Sequence, residues 1–408
     1  MRNRSLLIVT TLAVTGALSL TACGSRAKSG DNSSASSTVT IGVDAPLTGS
    51  LSALGLGIQN SVDLAIKTAN STKEVPGITF KIKALDDKKS PQEGQQNATA
   101  LVGDSSVLGV VGPLNSSVAR SMQKVFNDAN LVEVSPANTG VDLTQGPDWQ
   151  KGTKVRPFQS YFRTATTDAI QGPFAAQYAY STLGKKKVYL VDNQLAYGVG
   201  LVATFKDEFT KLGGTVVGQD HVADGTSDFS TTVGKIKASG ADVVFFGGEY
   251  PVTAPLTKQL KAAGDKIPLI GGDGMYDPTY IKLAGTASEG DFATSVGAPV
   301  ESLPSATKFI AAYKAGGYSD PYAAYGGYSY DSAWAIIEAV KAVAAANGGK
   351  LPSNARKSVE DAMSKVSFSG VTGTVSFDQY GDATNKQLTV YGVKGGVWTA
   401  IKSGSFTG

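Results

Sequence analysis

Five short segments of this chain gather hydroxyl, amide and acidic side chains beside glycine or proline: residues 112–117, 135–139, 192–197, 247–250 and 271–276. Each follows a run of Val, Ile, Leu or Phe that reads as a buried strand. Ser116 or Ser117 opens a helical stretch, where free backbone N–H groups and the helix dipole favour an anion. Helix capping is the competing role for the same serine. The patterns that would make an enzyme are weak. Gly198-x-Gly200-x-x-Ala203 imitates a dinucleotide fingerprint. However, residues 192–197 separate it from its strand, and the fingerprint requires a tight strand-to-helix turn. A Ser–His–Asp hydrolase would depend on His221, the only histidine, and there is no G-x-S-x-G elbow. Residues 327–331 come nearest and fail at the last position, Asp331. One histidine and one cysteine give no zinc-binding cluster. No catalytic residue, metal or cofactor is expected, which leaves reversible binding.

Strands must deliver these segments, and the pattern supplies them. Short strands are expected at 39–43, 78–85, 107–111 and 131–134. Helices are expected between and after them, at 58–69, 91–101 and 117–129, with Pro91 in a first turn. A second series starts near Tyr161, with helices at 170–183, 201–212, 229–238 and 256–263. Its strands are expected at 188–191, 215–217, 243–246 and 269–270. Alternating short strands and helices imply parallel sheets covered on both faces. Two series imply two doubly wound α/β lobes, and ligands of open α/β sheets bind beyond the carboxyl ends of the strands. Helices at 306–314, 328–346 and 355–365 follow, then hairpin-like strands from Val371 onward. Tyr322, Tyr325 and Tyr328 share one helix face, a spacing read first as packing and second as an aromatic wall.

Arg2 and Arg4 precede an apolar run over residues 6–20, then Thr21-Ala22-Cys23. This is the layout of an export signal, and it falls short of the roughly 20 apolar residues of a spanning helix. The lone Cys23 cannot form an internal disulfide. Residues 24–38, GSRAKSGDNSSASST, have no apolar periodicity and read as a tether. Hydrophobic residues at 41% and charged residues at 17% suit a globular chain. The net charge of +3 falls to +1 once residues 1–22 are removed, which gives no footprint for nucleic acid.

Several ordered segments resemble the branched-chain amino-acid (Leu/Ile/Val) binding proteins of ABC importers, which have the type I periplasmic binding protein fold. They are APLTG at 45–49, LDD at 85–87, VVGPLNSS at 110–117, SPANT at 135–139, FRTATTDAIQGP at 162–173, YGVG at 197–200, GGEYP at 247–251 and GGDG at 271–274. The stretch around Cys23 resembles a bacterial lipobox. The resemblance implies two lobes joined by three crossovers, with 39–160 plus 297–370 forming lobe 1 and 161–296 plus 371–408 forming lobe 2. It implies a signal peptide at 1–22, a lipidated Cys23 heading a tether at 23–38, and an extracytoplasmic, membrane-anchored monomer. It also implies an amino-acid-like ligand and the permease subunits of an importer as partners. A separate sensor partner is the alternative.

Carried over position by position, Leu114, Asn115 and Ser116 with Ala137, Asn138 and Thr139 would take the ligand carboxylate. Asp273 would meet the ammonium and Tyr197 would close on the ligand. Departures fall at the cleft: the family's leucine binder has tyrosines where this chain has Leu54 and Glu249, and a disulfide where Asn115 stands. Glu249 is therefore a candidate for a basic or amide-bearing ligand. Residues 145–160 are longer than the family leads one to expect. Hinge motion is expected near 159–161, 295–297 and 370–373.

Overall fold

The computed structural model describes residues 37–406. The signal segment, Cys23 and the tether up to residue 36 lie outside them. Among the described residues no helix is long and apolar enough to cross a membrane, and no cluster of His, Cys, Asp or Glu has the arrangement of a metal site.

The first sheet holds β1 (Ser37–Ala45), β2 (Ile78–Asp86), β3 (Val107–Val111), β4 (Val132–Ser135) and β5 (Tyr161–Arg163) in the order β2-β1-β3-β4-β5, all parallel. β3 is buried at every position. Burying each valine contributes roughly 1.5–3 kcal/mol, so a five-residue apolar run suffices for a central strand. The connecting helices are α1 (Ser52–Thr72), α2 (Pro91–Val102), α3 (Ser116–Asp128) and the single turn α4 (Asp142–Gln145). Pro91 opens α2, and the Ser90 hydroxyl accepts the Glu93 N–H at 3.4 Å, an N-cap.

The second lobe carries α5 (Asp168–Gln177), β6 (Lys187–Asp192), α6 (Ala196–Lys211), β7 (Thr215–His221), α7 (Ser230–Ser239), β8 (Val243–Gly247), α8 (Tyr250–Ala262), β9 (Leu269–Gly271), α9 (Pro278–Ala284) and β10 (Phe292–Ser295). The chain then returns to the first lobe for α10 (Thr307–Ala315), α11 (Gly326–Ala346) and α12 (Ala355–Met363). A small hairpin of β11 (Ser367–Gly370) and β12 (Gly373–Ser376) follows, and β13 (Gln387–Lys394) and β14 (Val397–Ser405) complete the second sheet. That sheet runs β14-β13-β10-β9-β8-β6-β7. It is parallel except at β13 and β14, which pair antiparallel. Phe205 stacks on Phe245 at 3.8 Å and on Phe209 at 5.4 Å, pinning α6 to the sheet.

Two boundaries differ from the sequence reading. The strand at Tyr161 does not open the second lobe; β5 pairs with β4 and closes the first sheet. Its side chains are all buried there, and a strand of three residues carries no mark of which sheet will take it. Likewise the segment after Val371 does not join the second sheet at once. β12 pairs with β11 beside α11, and only β13 and β14 cross over. The lobe-to-lobe segments are therefore residues 164–167, 296–306 and 377–386. The glycine fingerprint also dissolves: Gly198 and Gly200 lie inside α6, and a Cβ on Gly198 would overlap the Gly247 carbonyl oxygen. Gly198 lets α6 approach the end of β8.

Candidate functional site

The carboxyl ends of β3 and β4 face those of β6, β8 and β9, and one small cavity lies between them. Leu114, Asn115, Ser116 and Ala137 line it from the first lobe. Tyr197, Glu249, Asp273 and Gly274 line it from the second, and Tyr325, at the start of α11, completes it.

On the first lobe, Ser116 begins the 13-residue α3 and no side chain caps that helix. The Ser116 hydroxyl accepts only a long bond, 3.4 Å, from the Gly140 N–H. The positive end of the α3 dipole is thus directed at the cavity. Neighbouring loops are tied down by side chains. The Ser135 hydroxyl donates to the Pro113 carbonyl at 2.8 Å and accepts the Asn138 N–H at 2.9 Å. Asn138 does not line the cavity: its amide donates to the Leu114 carbonyl at 2.7 Å and accepts from the Tyr161 hydroxyl at 2.9 Å. Its role is to lock the β3 and β4 loops together. Thr139 is also outside the lining, buried beside the Asp168 backbone, whose N–H donates to the Thr139 carbonyl at 2.8 Å. Among the described residues the Thr139 hydroxyl has no hydrogen-bond partner.

On the second lobe, Asp273 is buried and held by three neutral donors. Tyr197 Oη and Gln171 Nε2 reach one oxygen at 2.8 and 3.0 Å, and Tyr325 Oη reaches the other at 2.8 Å. Burial pushes the Asp273 carboxyl up from its ordinary pKa, while these three donors pull it back. A carboxylate has about four lone-pair positions, so one more donor can be accommodated. Asp168, the first residue of α5, is fully buried, and neither of its oxygens has a partner among the described residues. Burial first, and the neighbouring Asp273 charge second, push its pKa well up; Thr139 and Arg163 act in the opposite direction.

Glu249 is also buried, but its partners are protein groups. Asn115 Nδ2 donates to Oε1 at 2.8 Å; Asn193 Nδ2 and Lys89 Nζ reach Oε2 at 2.9 and 3.2 Å.

Seven of the nine expected site residues line one cavity, while Asn138 and Thr139 stand behind it. Sequence reasoning passed over Gln171, Asp168 and Lys89, and placed Tyr325 in the cleft wall only as a second reading. Tyr325 was read mainly as helix packing with its neighbours, yet Tyr322 turns instead to the Glu301 carboxylate. Gln171 and Asp168 sit in the segment at 162–173, where their burial was the missing signal. Leu54 belongs to the first lobe's core.

Such a cleft, between two α/β lobes, defines a binding protein with lobes that meet around a small solute. Residues 38–397 match the family described as periplasmic binding protein, and the chain belongs to that family of extracytoplasmic solute-binding proteins, not enzymes. It is 31% identical over 360 residues to Leu/Ile/Val-binding protein homolog 3 of Brucella melitensis, covering 88% of this chain and 92% of the relative. It is 28% identical to the Leu/Ile/Val-binding protein BraC3 of Rhizobium johnstonii, covering 86% and 91%. Among solved structures, a leucine binding protein from Thermotoga maritima superposes with a TM-score of 0.79 at 26% identity, covering 90% of this chain and 98% of that one. A branched-chain amino acid transporter substrate binding protein from Streptococcus pneumoniae, in complex with isoleucine, gives 0.77 at 25% identity, covering 90% and 99%.

Proposed function

We propose that this protein captures an amino acid, branched-chain in the first rank, and delivers it to the permease of an ABC importer while anchored through a lipid on Cys23. One observation carries the ligand class: a single cavity has a negative pole on one lobe and a positive pole on the other. Asp273 supplies the first; the N-terminus of α3 with the Ser116 hydroxyl supplies the second. Asp273 has a lone-pair position left for one more donor, and a ligand ammonium fills it with an opposite charge. A zwitterion matches both poles and bridges the lobes. The names of the Brucella and Rhizobium relatives and the isoleucine-bound relative support a branched aliphatic side chain. A thermal-shift screen of amino acids against the mature domain tests this. Leu, Ile or Val at 100 times Kd should add about 2.7 kcal/mol of stability. No shift with any amino acid would sink the proposal.

A further inference from the structure

Asp273 is explained by a ligand ammonium; the Glu249 carboxylate is not. Glu249 stands at the N-cap position of α8 on the second lobe, its side chain makes no capping bond there, and the residue is 2% exposed. Its oxygens are occupied by three protein donors, two of which, Asn115 and Lys89, come from the other lobe. Lys89 also pairs with Asp224 of the second lobe at 2.7 Å. The reach of Lys89 is built into its turn. Lys88 and Lys89 both adopt left-handed φ, 51° and 63°, an unusual conformation for side chains of this kind. Asp87 Oδ1 accepts the Lys89 N–H and the Asp87 carbonyl accepts the Ser90 N–H, each at 2.7 Å. Ser90 then caps α2. The ammonium is therefore presented across the lobe interface from a turn secured on both sides. Burial alone would lower the Lys89 pKa, but Glu249 and Asp224 outweigh it and keep the ammonium charged.

We infer that Glu249 is an inter-lobe latch: with Lys89 and Asn115 it biases the two lobes toward closure and so sets the apparent affinity of the cleft through bonds between protein groups, although Glu249 and Asn115 also line the cavity. Every bond in the cluster joins protein atoms, so its free energy is present whichever ligand the cleft holds. Apparent affinity scales with the fraction of molecules in the binding-competent form, so a latch tunes all ligands by one factor, whereas a ligand contact tunes them unequally. Asp224 and Lys89 retain some exposure, 33% and 12% of their side chains, so salt weakens the latch. The affinity half of this inference rests on the amino-acid reading; the closure half does not.

The test uses the mature full-length chain and the variants Lys89→Met, Glu249→Gln and their double, with Asp224→Asn as a milder variant that leaves the buried carboxylate untouched. Ligand-free small-angle scattering should show a larger radius of gyration for Lys89→Met and Glu249→Gln than for wild type, with Asp224→Asn and wild type in about 1 M salt moving the same way. Calorimetry with isoleucine, leucine and valine should show a common loss, on the order of tenfold, with rank order unchanged and the double variant little worse than either single. Unchanged radii in all variants overturn the latch. So does a Glu249→Gln protein that reorders the three amino acids while Lys89→Met does not, which would make Glu249 a ligand contact. If no amino acid binds even wild type, the ligand assignment fails, and the radii alone still decide the latch.

Discussion

At the scale of single residues, the cleft depends on a buried ion pair that never touches it. Arg163, fully buried, places Nε 2.6 Å from Asp382, donates to the Asn138 and Gly140 carbonyls at 3.0 and 2.8 Å, and bonds the Thr144 hydroxyl. It thereby joins the first and third crossovers to the loop that carries Ala137 and Thr139. Burial alone would push Asp382 up, but Arg163 outweighs it and holds the carboxyl below its ordinary pKa. A depressed acid contributes stability above its unfolded pKa, about 3.9, and loses it as pH falls through the folded value. Asp382→Asn should cost about 3–5 kcal/mol at neutral pH, because it strands a buried guanidinium. It should also flatten the stability loss below about pH 4. Urea unfolding at pH 7 and pH 3.5 checks both. An equal cost at the two values would show that the pair does not titrate. Thr139→Ala should leave ligand affinity nearly unchanged in calorimetry, since the Thr139 hydroxyl lies outside the cavity lining and holds no hydrogen bond among the described residues; a loss of about tenfold or more would make it a ligand contact. Single-residue roles were partly legible in the sequence. Asp273, between glycines at a strand end, marked itself. Arg163 and Asp168 did not, because the importance of Arg163 comes from a buried partner, Asp382, more than 200 residues away, and that of Asp168 from a neighbouring charge.

At the scale of elements, strand existence was written in apolar runs such as residues 107–111, and helix starts in Pro91 and Ser116. Sheet membership was not. Residues 161–163 and 373–376 are short enough that only their pairing partners decide their lobe. The crossovers are where that choice has mechanical consequences. Gly297 sits in the second crossover, and a Cβ there would overlap the Tyr328 hydroxyl oxygen. Tyr328 is buried against the first lobe, so it has little room to retreat. Gly297→Ala should destabilise by roughly 1–3 kcal/mol through overpacking. Tyr328→Phe in the same chain should recover most of that loss in chemical denaturation. Failure of the second change to help would place the strain in the backbone. The N-terminal segment makes a separate prediction. Cys23→Ala should leave an exported protein that no longer fractionates with membranes, since the acyl chains supply the anchoring energy. Fatty-acid labelling of wild type and variant measures this; an unlabelled wild type would remove the lipid anchor from the account.

At the scale of the whole molecule, the two lobes contribute opposite poles to one cavity, and neither lobe alone can hold a zwitterion. The central claim is that Asp273 on one lobe takes an ammonium while the first turn of α3 on the other takes a carboxylate. Part of this was visible in the order of glycine-flanked strand ends, because parallel sheets place all such ends on one side. The apposition of the two sets was not visible, since it depends on three crossovers that carry no signature of their own. The most direct test is calorimetry of the mature domain with isoleucine, its N-acetyl derivative and its methyl ester, using wild type and Asp273→Asn. The account predicts measurable binding of isoleucine by wild type and none of either blocked derivative. It also predicts at least a 30-fold loss for Asp273→Asn, from about 2–5 kcal/mol for an uncompensated charge. Wild-type affinity in Asp273→Asn, or retention of the N-acetyl derivative, would contradict it.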